Sequence, residues 1–257
     1  MTPRAPEFSL RLAQTEADYH GAARLRYDVF VAELGGDGAL VDHEARLELD
    51  AFDPHYEHMI LLDHARPGTE SDQVVGVYRL MRSDRLATGA QFYSESEYDL
   101  TRLRQSGRRL LELGRSCVHA DYRGGTAMHE LWQGLAAYVA EHGVEVLFGV
   151  ASFHGTDIEA LAGPLSLLHH RHLAPHELRV RAHDGAFQRM DLLDEDRIDR
   201  RATMVQVPAL IKAYLRLGGT VGEGAFIDHA FNTTDVCLVM DTARLSEAGR
   251  RYAEVGS

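Results

Sequence analysis

The residues whose types and spacing best fit a chemical role lie in the turn after residue 118. Arg123, Gly124 and Gly125 stand side by side between an apolar run and a second apolar segment. Glycines let backbone N–H groups approach an anion closely, and an arginine offers a planar fork to phosphate oxygens. The turn therefore indicates a phosphate-binding site; a plain turn with a solvated arginine is the alternative.

Two elements must position this turn. The run 110–118 contains Leu111, Leu113 and Val118 and predicts a strand. Apolar residues then recur at spacings of three and four and predict a helix, whose positive N-terminal end would face a phosphate. They are Met128, Leu131, Trp132, Leu135 and Val139. Val144–Phe153 is apolar almost throughout, which predicts a central strand. The order strand, helix and strand then predicts a right-handed crossover.

The remaining pattern alternates strands and helices. The predicted strands are Phe8–Leu12, His58–Asp63, Val74–Met81, Leu178–His183 and Val236–Met240, the second and third forming a hairpin. The predicted helices run from a Thr15 cap to about Leu34, near Glu95–Arg104, over Asp157–His172 with a break at Gly163-Pro164, and over Pro208–Gly218. The loop Asp37–Asp53 is rich in carboxylates, which predicts a solvated, mobile segment or a surface that selects a cation.

Composition narrows the class. The chain has 257 residues and a net charge of −12, which argues against nucleic acid as a partner and against general attraction to anionic membranes. Cys117 and Cys237 are the only cysteines, and the sequence contains neither a signal-peptide pattern nor a membrane-length apolar run. We expect a reduced, cytoplasmic protein. We expect no metal, because His169, His170 and His172 lack a partner motif.

The segment from Val118 to Gly125 resembles the acyl-CoA-binding motif of the GNAT superfamily of N-acetyltransferases, Arg-Gly-x-Gly-x-Gly/Ala. The resemblance implies an α/β (α+β) three-layer fold, with helices on both faces of a mixed twisted sheet. It implies a single domain with a core at about 8–183 and an extension at about 184–257. Pantetheine would lie against Cys117, Val118, Arg123, Gly124, Gly125 and Thr126, although Cys117 as a small core residue is the stronger interpretation.

The motif also departs from the superfamily pattern. Thr126 and Met128 stand where it has glycine and glycine or alanine. A donor that presents one phosphodiester, such as acyl carrier protein, would tolerate this better than a pyrophosphate would. The expected donor is therefore acyl carrier protein, with no cofactor resident on this chain.

A second resemblance extends over nearly the whole chain. Residues 26–30, 50–53, 76–79 and 112–115 follow the order of a pattern in acyl-homoserine lactone synthases, without the tryptophan that usually follows Val-Phe. Residues 151–157, 165–175, 208–218 and 232–235 are similar to ornithine–acyl carrier protein N-acyltransferases. This family implies transfer of a (3-hydroxy) fatty acyl group from acyl carrier protein to the α-amine of L-ornithine, giving lyso-ornithine lipid.

The expected reaction and the charge pattern together suggest residue roles. The catalytic set would be Glu112 as general base, with Arg115 and Ser116, and the backbone near Ser116–Val118 would stabilise the oxyanion. The amino acid would be bound by Asp50, Asp53, Arg79, Ser152 and His154, with Arg115 as a second candidate for its carboxylate. Carrier protein would dock on Arg102, Arg104, Arg108 and Arg109. The alternatives are a structural Glu112–Arg115 ion pair and a solvated basic loop.

Three other functions stay open at this point. Within enzymes, the chain could be a relative of acyl-homoserine lactone synthases or a CoA-dependent N-acyltransferase. The haemolysin-like label of the ornithine branch raises a non-catalytic membrane-active protein, which the absence of a long amphipathic segment disfavours. A lipid product would imply transient contact with the inner face of the cytoplasmic membrane, so a cytoplasmic protein peripheral to the membrane is expected.

Overall fold

The computed structural model describes residues 5–245, which form two compact units. The first contains residues 5–81 and 113–142, and the second contains 82–112 and 143–245. The fold is mixed α/β, with mostly antiparallel strands flanked by helices, and confirms the predicted class. The division differs from the expected boundary near residue 184, so a single domain stays a prediction. Residues 246–257 of the expected extension lie outside the described residues.

The elements are numbered in chain order. The strands are β1 Phe8–Leu12, β2 Glu57–Asp63, β3 Val74–Arg82, β4 Tyr98–Asp99, β5 Leu110–Val118, β6 Val146–His154, β7 Arg181–Ala182, β8 Phe187–Gln188, β9 Thr220–Val221, β10 Ala225–Asp228 and β11 Thr233–Asp241. The helices are α1 Glu16–Arg26, α2 Thr101–Gln105, α3 Ala127–His142, α4 Ile158–His172, α5 Arg200–Gln206 and α6 Ala209–Leu217.

In the first unit, helices pack against three antiparallel strands. β1 pairs with β2, and β2 pairs with β3. Thr15 caps α1, as the sequence predicts, and it forms a capping box with Asp18. After Arg26 the helix continues as a π-helix, Tyr27–Glu33. This geometry is rare in proteins, and where it occurs it is often at a functional site. Helix α3 packs on β1 and β2.

The second unit is built on β6 and β11. These strands pair antiparallel along their whole length, from His154 opposite Thr233 to Val146 opposite Asp241. The first three residues of β5 pair parallel with β6. β10 pairs with β11 and with β8. The buried Tyr98 hydroxyl donates to the carbonyl oxygens of Gly224 and Asp235, which ties β4 to this sheet.

Most predicted elements are confirmed, and three are wrong in part. Residues 95–104 form a 3₁₀ turn, the short β4 and α2 instead of one helix. Helix α4 is not broken, because Pro164 and Leu165 are buried within it and packing offsets the lost hydrogen bond. The strand predicted at Leu178–His183 is reduced to β7, and β10 is not predicted. Among residues 5–245, no helix combines the length and apolarity needed to cross a membrane.

Candidate active site

A closed ring of ion pairs lies within the first unit. Three guanidinium groups alternate with three carboxylates, so the ring carries no net charge. Its members, in order, are Arg26, Glu48, Arg115, Asp50, Arg79 and Asp53, which pairs again with Arg26. Apart from the very close Arg26–Glu48 pair, the N···O distances lie between 2.6 and 3.2 Å.

Four segments of the chain bring these side chains together. Arg26 ends α1, Arg79 lies on β3, Arg115 lies on β5, and the carboxylates come from the loop before β2. Arg26 and Arg79 are fully buried, and a carboxylate must accompany each because a lone buried charge is costly. Arg115 has φ of +50°, an uncommon value for a residue with a side chain.

The electrostatics of the ring favour its ionised form. Burial acts to raise the pKa of Asp53, but Arg26 and Arg79 outweigh it and hold that pKa well below its usual range. Burial likewise acts to raise the pKa of Asp50, which Arg79 and Arg115 keep lowered. For Arg26, burial acts to lower the pKa, while Glu48 and Asp53 raise it. Arg26, Asp50 and Asp53 therefore stay ionised at neutral pH.

The two most exposed members stand next to each other in the ring. The side chains of Asp50 and Arg115 are 18% and 17% exposed, and Arg115 Nη2 donates to Asp50 Oδ2 at 3.0 Å. The prediction of a solvated loop is wrong for Glu48, Asp50 and Asp53, because the ring neutralises and buries them. The structure does bring together four of the predicted site residues: Asp50, Asp53, Arg79 and Arg115.

The glycine turn has the geometry expected after β5. Gly124 has φ of +76°, which glycine adopts freely, and α3 begins at Ala127 with first-turn N–H groups that lack intrahelical acceptors. Arg123 Nε donates to the carbonyl oxygen of Val118 at 3.0 Å. Gly125 and Thr126 are exposed beside it. The turn is therefore open to a ligand.

The end of β5 offers space and one hydroxyl. A Cβ built on Gly114 would have only Arg79 near it, at 3.8 Å, so the position is open. The Ser116 Oγ is buried without a hydrogen-bond partner among the described residues. Burial raises the pKa of the Cys117 thiol to about 12, and this side chain packs in an apolar cluster. Cys117 is therefore a core residue and unsuited to act as a nucleophile.

Glu112 lies in the second unit, on the first part of β5. It is buried, and its two carboxylate oxygens accept backbone N–H groups from Tyr93 at 3.0 Å and Ser94 at 2.6 Å. It thereby anchors the 3₁₀ turn before β4.

The other predicted residues also lie in the second unit. Ser152 and His154 are exposed and share one face of β6, opposite Asp235 and Thr233 of β11. The four arginines of the predicted docking surface differ from one another. Arg102 and Arg109 are exposed, Arg104 pairs with Glu95, and Arg108 pairs with Asp241 while it donates to the carbonyl oxygen of Glu145.

Comparison with known proteins decides the family. A family model described as "Acetyltransferase (GNAT) domain" matches residues 25–133. An L-ornithine N(alpha)-acyltransferase of Rhodobacter capsulatus is 60% identical over 95% of this chain and 94% of its own length. The chain belongs to the L-ornithine N(alpha)-acyltransferase family. A further member, from Brucella abortus, is 41% identical over 95% of this chain and 87% of its own length.

A solved structure supports the fold of this family member. FeeM, an N-acyl amino acid synthase from uncultured soil microbes, superposes with a TM-score of 0.52 at 9% identity. The alignment covers 96% of this chain and 99% of FeeM. At this identity, the likeness concerns the fold alone.

The sequence analysis did not single out three residues of the candidate site. Arg26 and Glu48 complete the ring, and Glu33 pairs with Arg123 across 90 positions of sequence. Arg26 opens the pattern shared with the lactone synthases, so that pattern was a usable signal. No sequence signal marks Glu48 or Glu33, because an acidic residue in a polar segment is ordinarily solvated.

The ring also predicts a pH dependence of stability. His58 is buried beside it, its Nε2 lies 3.4 Å from the carbonyl oxygen of Asp53, and its pKa is lowered from 6.5 to about 4 by burial and then by Arg26. Between these values the unfolded chain binds more protons than the folded protein. We therefore expect His58 alone to lower the free energy of unfolding by about 3 kcal/mol as pH drops from 6.5 to 4.

Urea unfolding across this pH range measures the effect. His58→Gln should remove this part of the slope, while His20→Gln, at an exposed position, should leave it as in the wild type. Equal slopes in His58→Gln and wild-type protein would refute the assignment.

Proposed function

We propose that the protein transfers a (3-hydroxy) fatty acyl group from acyl carrier protein to the α-amine of L-ornithine, forming lyso-ornithine lipid. The acceptor is that of the relatives named above, which match this chain over nearly its full length. The structural observation that supports ornithine as the acyl acceptor is the Asp50–Arg115 edge of the ring. It offers one carboxylate and one guanidinium within a cluster that is otherwise neutral and buried.

Such an edge suits ornithine with a neutral α-amine. This form carries one carboxylate and one distal ammonium, and it can exchange into the Asp50–Arg115 pair without changing the charge of the ring. Arg115 together with Arg79 would bind the carboxylate of ornithine. Asp50 together with Asp53 would bind its distal ammonium. Ser152 and His154 stay candidates for further contacts.

The donor is proposed from the glycine turn. A phosphodiester on phosphopantetheine would bind Arg123 and the N–H groups of Gly124, Gly125 and Thr126, and Gly114 would leave room for the pantetheine arm. Acyl carrier protein would be an acidic partner, and Arg102, Arg104 and Arg109 are exposed cations of the docking surface. Arg104 also pairs with Glu95, and Arg108 with Asp241.

The reaction is a direct displacement. The α-amine attacks the thioester carbonyl, the C–N bond forms, the C–S bond breaks, and the thiol of the carrier leaves protonated. Glu112 would accept the amine proton, directly or through water, and backbone N–H groups near Ser116–Val118 would stabilise the oxyanion. The buried Ser116 hydroxyl is available to donate a hydrogen bond to the reacting thioester. No group of this chain forms a covalent bond with the acyl chain.

The proposed location is the cytoplasm, with transient contact at the inner face of the cytoplasmic membrane. Cys117 and Cys237 are free and buried, which suits a reducing compartment. A lyso-lipid product must reach a bilayer, which supports the contact.

Product analysis tests the proposal. Purified protein with 3-hydroxyacyl carrier protein and L-ornithine should release free thiol and give an N-acyl ornithine, which mass spectrometry identifies. An acyl lactone formed from S-adenosylmethionine would favour the lactone-synthase alternative, and lysis of cells without thiol release would favour a membrane-active protein. Failure of thiol release with ornithine would contradict the proposal.

The acceptor edge has its own test. Asp50→Asn keeps the shape of the side chain but removes the charge expected to bind the distal ammonium. We expect the KM for ornithine to rise roughly tenfold or more, because a charged hydrogen bond contributes about 1.5–3 kcal/mol. The KM for the donor should stay unchanged. Glu44→Gln, on the exposed part of the same loop, is the control and should match the wild type. An effect confined to the donor KM would refute this assignment.

The base is tested by Glu112→Gln. We expect kcat to fall about 100-fold or more, since general base catalysis contributes roughly 10²–10⁴-fold. The amide can accept from only one of Tyr93 and Ser94, so the Tm should fall too. The rate is therefore measured well below the Tm of the variant, with donor binding checked. A folded variant that binds donor and keeps most of the rate would show that Glu112 is only a structural anchor.

A further inference from the structure

The arginine of the glycine turn is already held by a carboxylate of the same chain. Glu33 accepts two hydrogen bonds from Arg123, from Nη1 to Oε1 and from Nη2 to Oε2, both at 2.6 Å. This is the bidentate geometry in which a guanidinium also binds a phosphate. The two side chains are 42% and 44% exposed, so a ligand can reach the pair from solvent.

The position of Glu33 depends on the π-helix. Glu33 is the last residue of Tyr27–Glu33, where the wider turn directs side chains differently from an α-helix. Arg123 is fixed from the other side by its bond to the Val118 carbonyl. The pair lowers the pKa of Glu33 and raises that of Arg123, so both groups stay ionised at neutral pH.

We propose that Glu33 is a specificity-determining residue that sets the donor preference by competing with phosphate for Arg123. This inference rests on the proposed function, because it concerns the donor of that reaction. A phosphodiester can take the place of the Glu33 carboxylate on Arg123 and adds only one negative charge beside the tethered Glu33. The pyrophosphate and third phosphate of CoA bring more negative charge, and Glu33, tethered by the π-helix, repels it. Glu33 thus favours a donor with one phosphodiester over free CoA.

Binding of free CoA tests the inference without turnover. Calorimetry should show that CoA binds Glu33→Gln at least about threefold more tightly than it binds wild-type protein. Pantetheine without phosphate should bind both alike. The gain should shrink at high salt, because the pair is exposed. Glu44→Gln removes one charge from an exposed position that is not paired with Arg123 and should match the wild type. Glu33→Asp keeps the charge and should bind CoA more weakly than Glu33→Gln.

Turnover separates this inference from the proposed function. The ratio of kcat/KM for acyl-CoA to that for acyl carrier protein should rise at least about threefold in Glu33→Gln. If wild-type protein acylates ornithine from carrier protein but CoA binds Glu33→Gln no more tightly than wild type, or binds neither, the inference alone fails. If wild-type protein prefers acyl-CoA, the proposed donor and this inference both fail.

Discussion

The charge balance of the buried ring is the constraint on which the first unit depends. Each of Arg26, Arg79 and Arg115 bridges two carboxylates, and each carboxylate bridges two arginines. Removing ions from water is costly. The attraction between the alternating arginines and carboxylates offsets this cost only when every member of the ring is present. The end of α1, the loop before β2, β3 and β5 therefore hold one another in place through charge as well as through apolar contact.

This constraint changes how the acidic loop is understood. A free carboxylate cluster would attract any cation, whereas a neutral ring has no surplus charge to offer. A ligand gains most at the exposed edge if it brings both signs at once, because each ion it displaces is replaced by an ion of the same sign. In the proposed binding mode the ring would favour a ligand that carries both charges over a simple amine or a simple acid, and an amino acid meets that condition.

The sequence predicted the elements with local signals and missed the contacts made over long separations. β5 and α3 could be predicted because their apolar periodicities are long and regular. Arg26 meets Glu48 and Asp53, 22 and 27 residues away, and Arg123 meets Glu33, 90 residues away. Periodicity carries no information on such pairs. Resemblance to a family supplied Asp50, Asp53, Arg79 and Arg115, but it could not show that they neutralise one another.

The same arginine–carboxylate chemistry has two consequences in this chain, and burial decides between them. Arg26 and Glu48 are shielded from water, so breaking their pair would leave an uncompensated charge in a medium of low dielectric. Arg123 and Glu33 are each more than two-fifths exposed, so water and salt screen them and an incoming anion would replace the carboxylate at small cost. The first kind of pair fixes the scaffold. The second kind is open to exchange, and in the proposed binding mode a donor phosphate would take the place of the carboxylate.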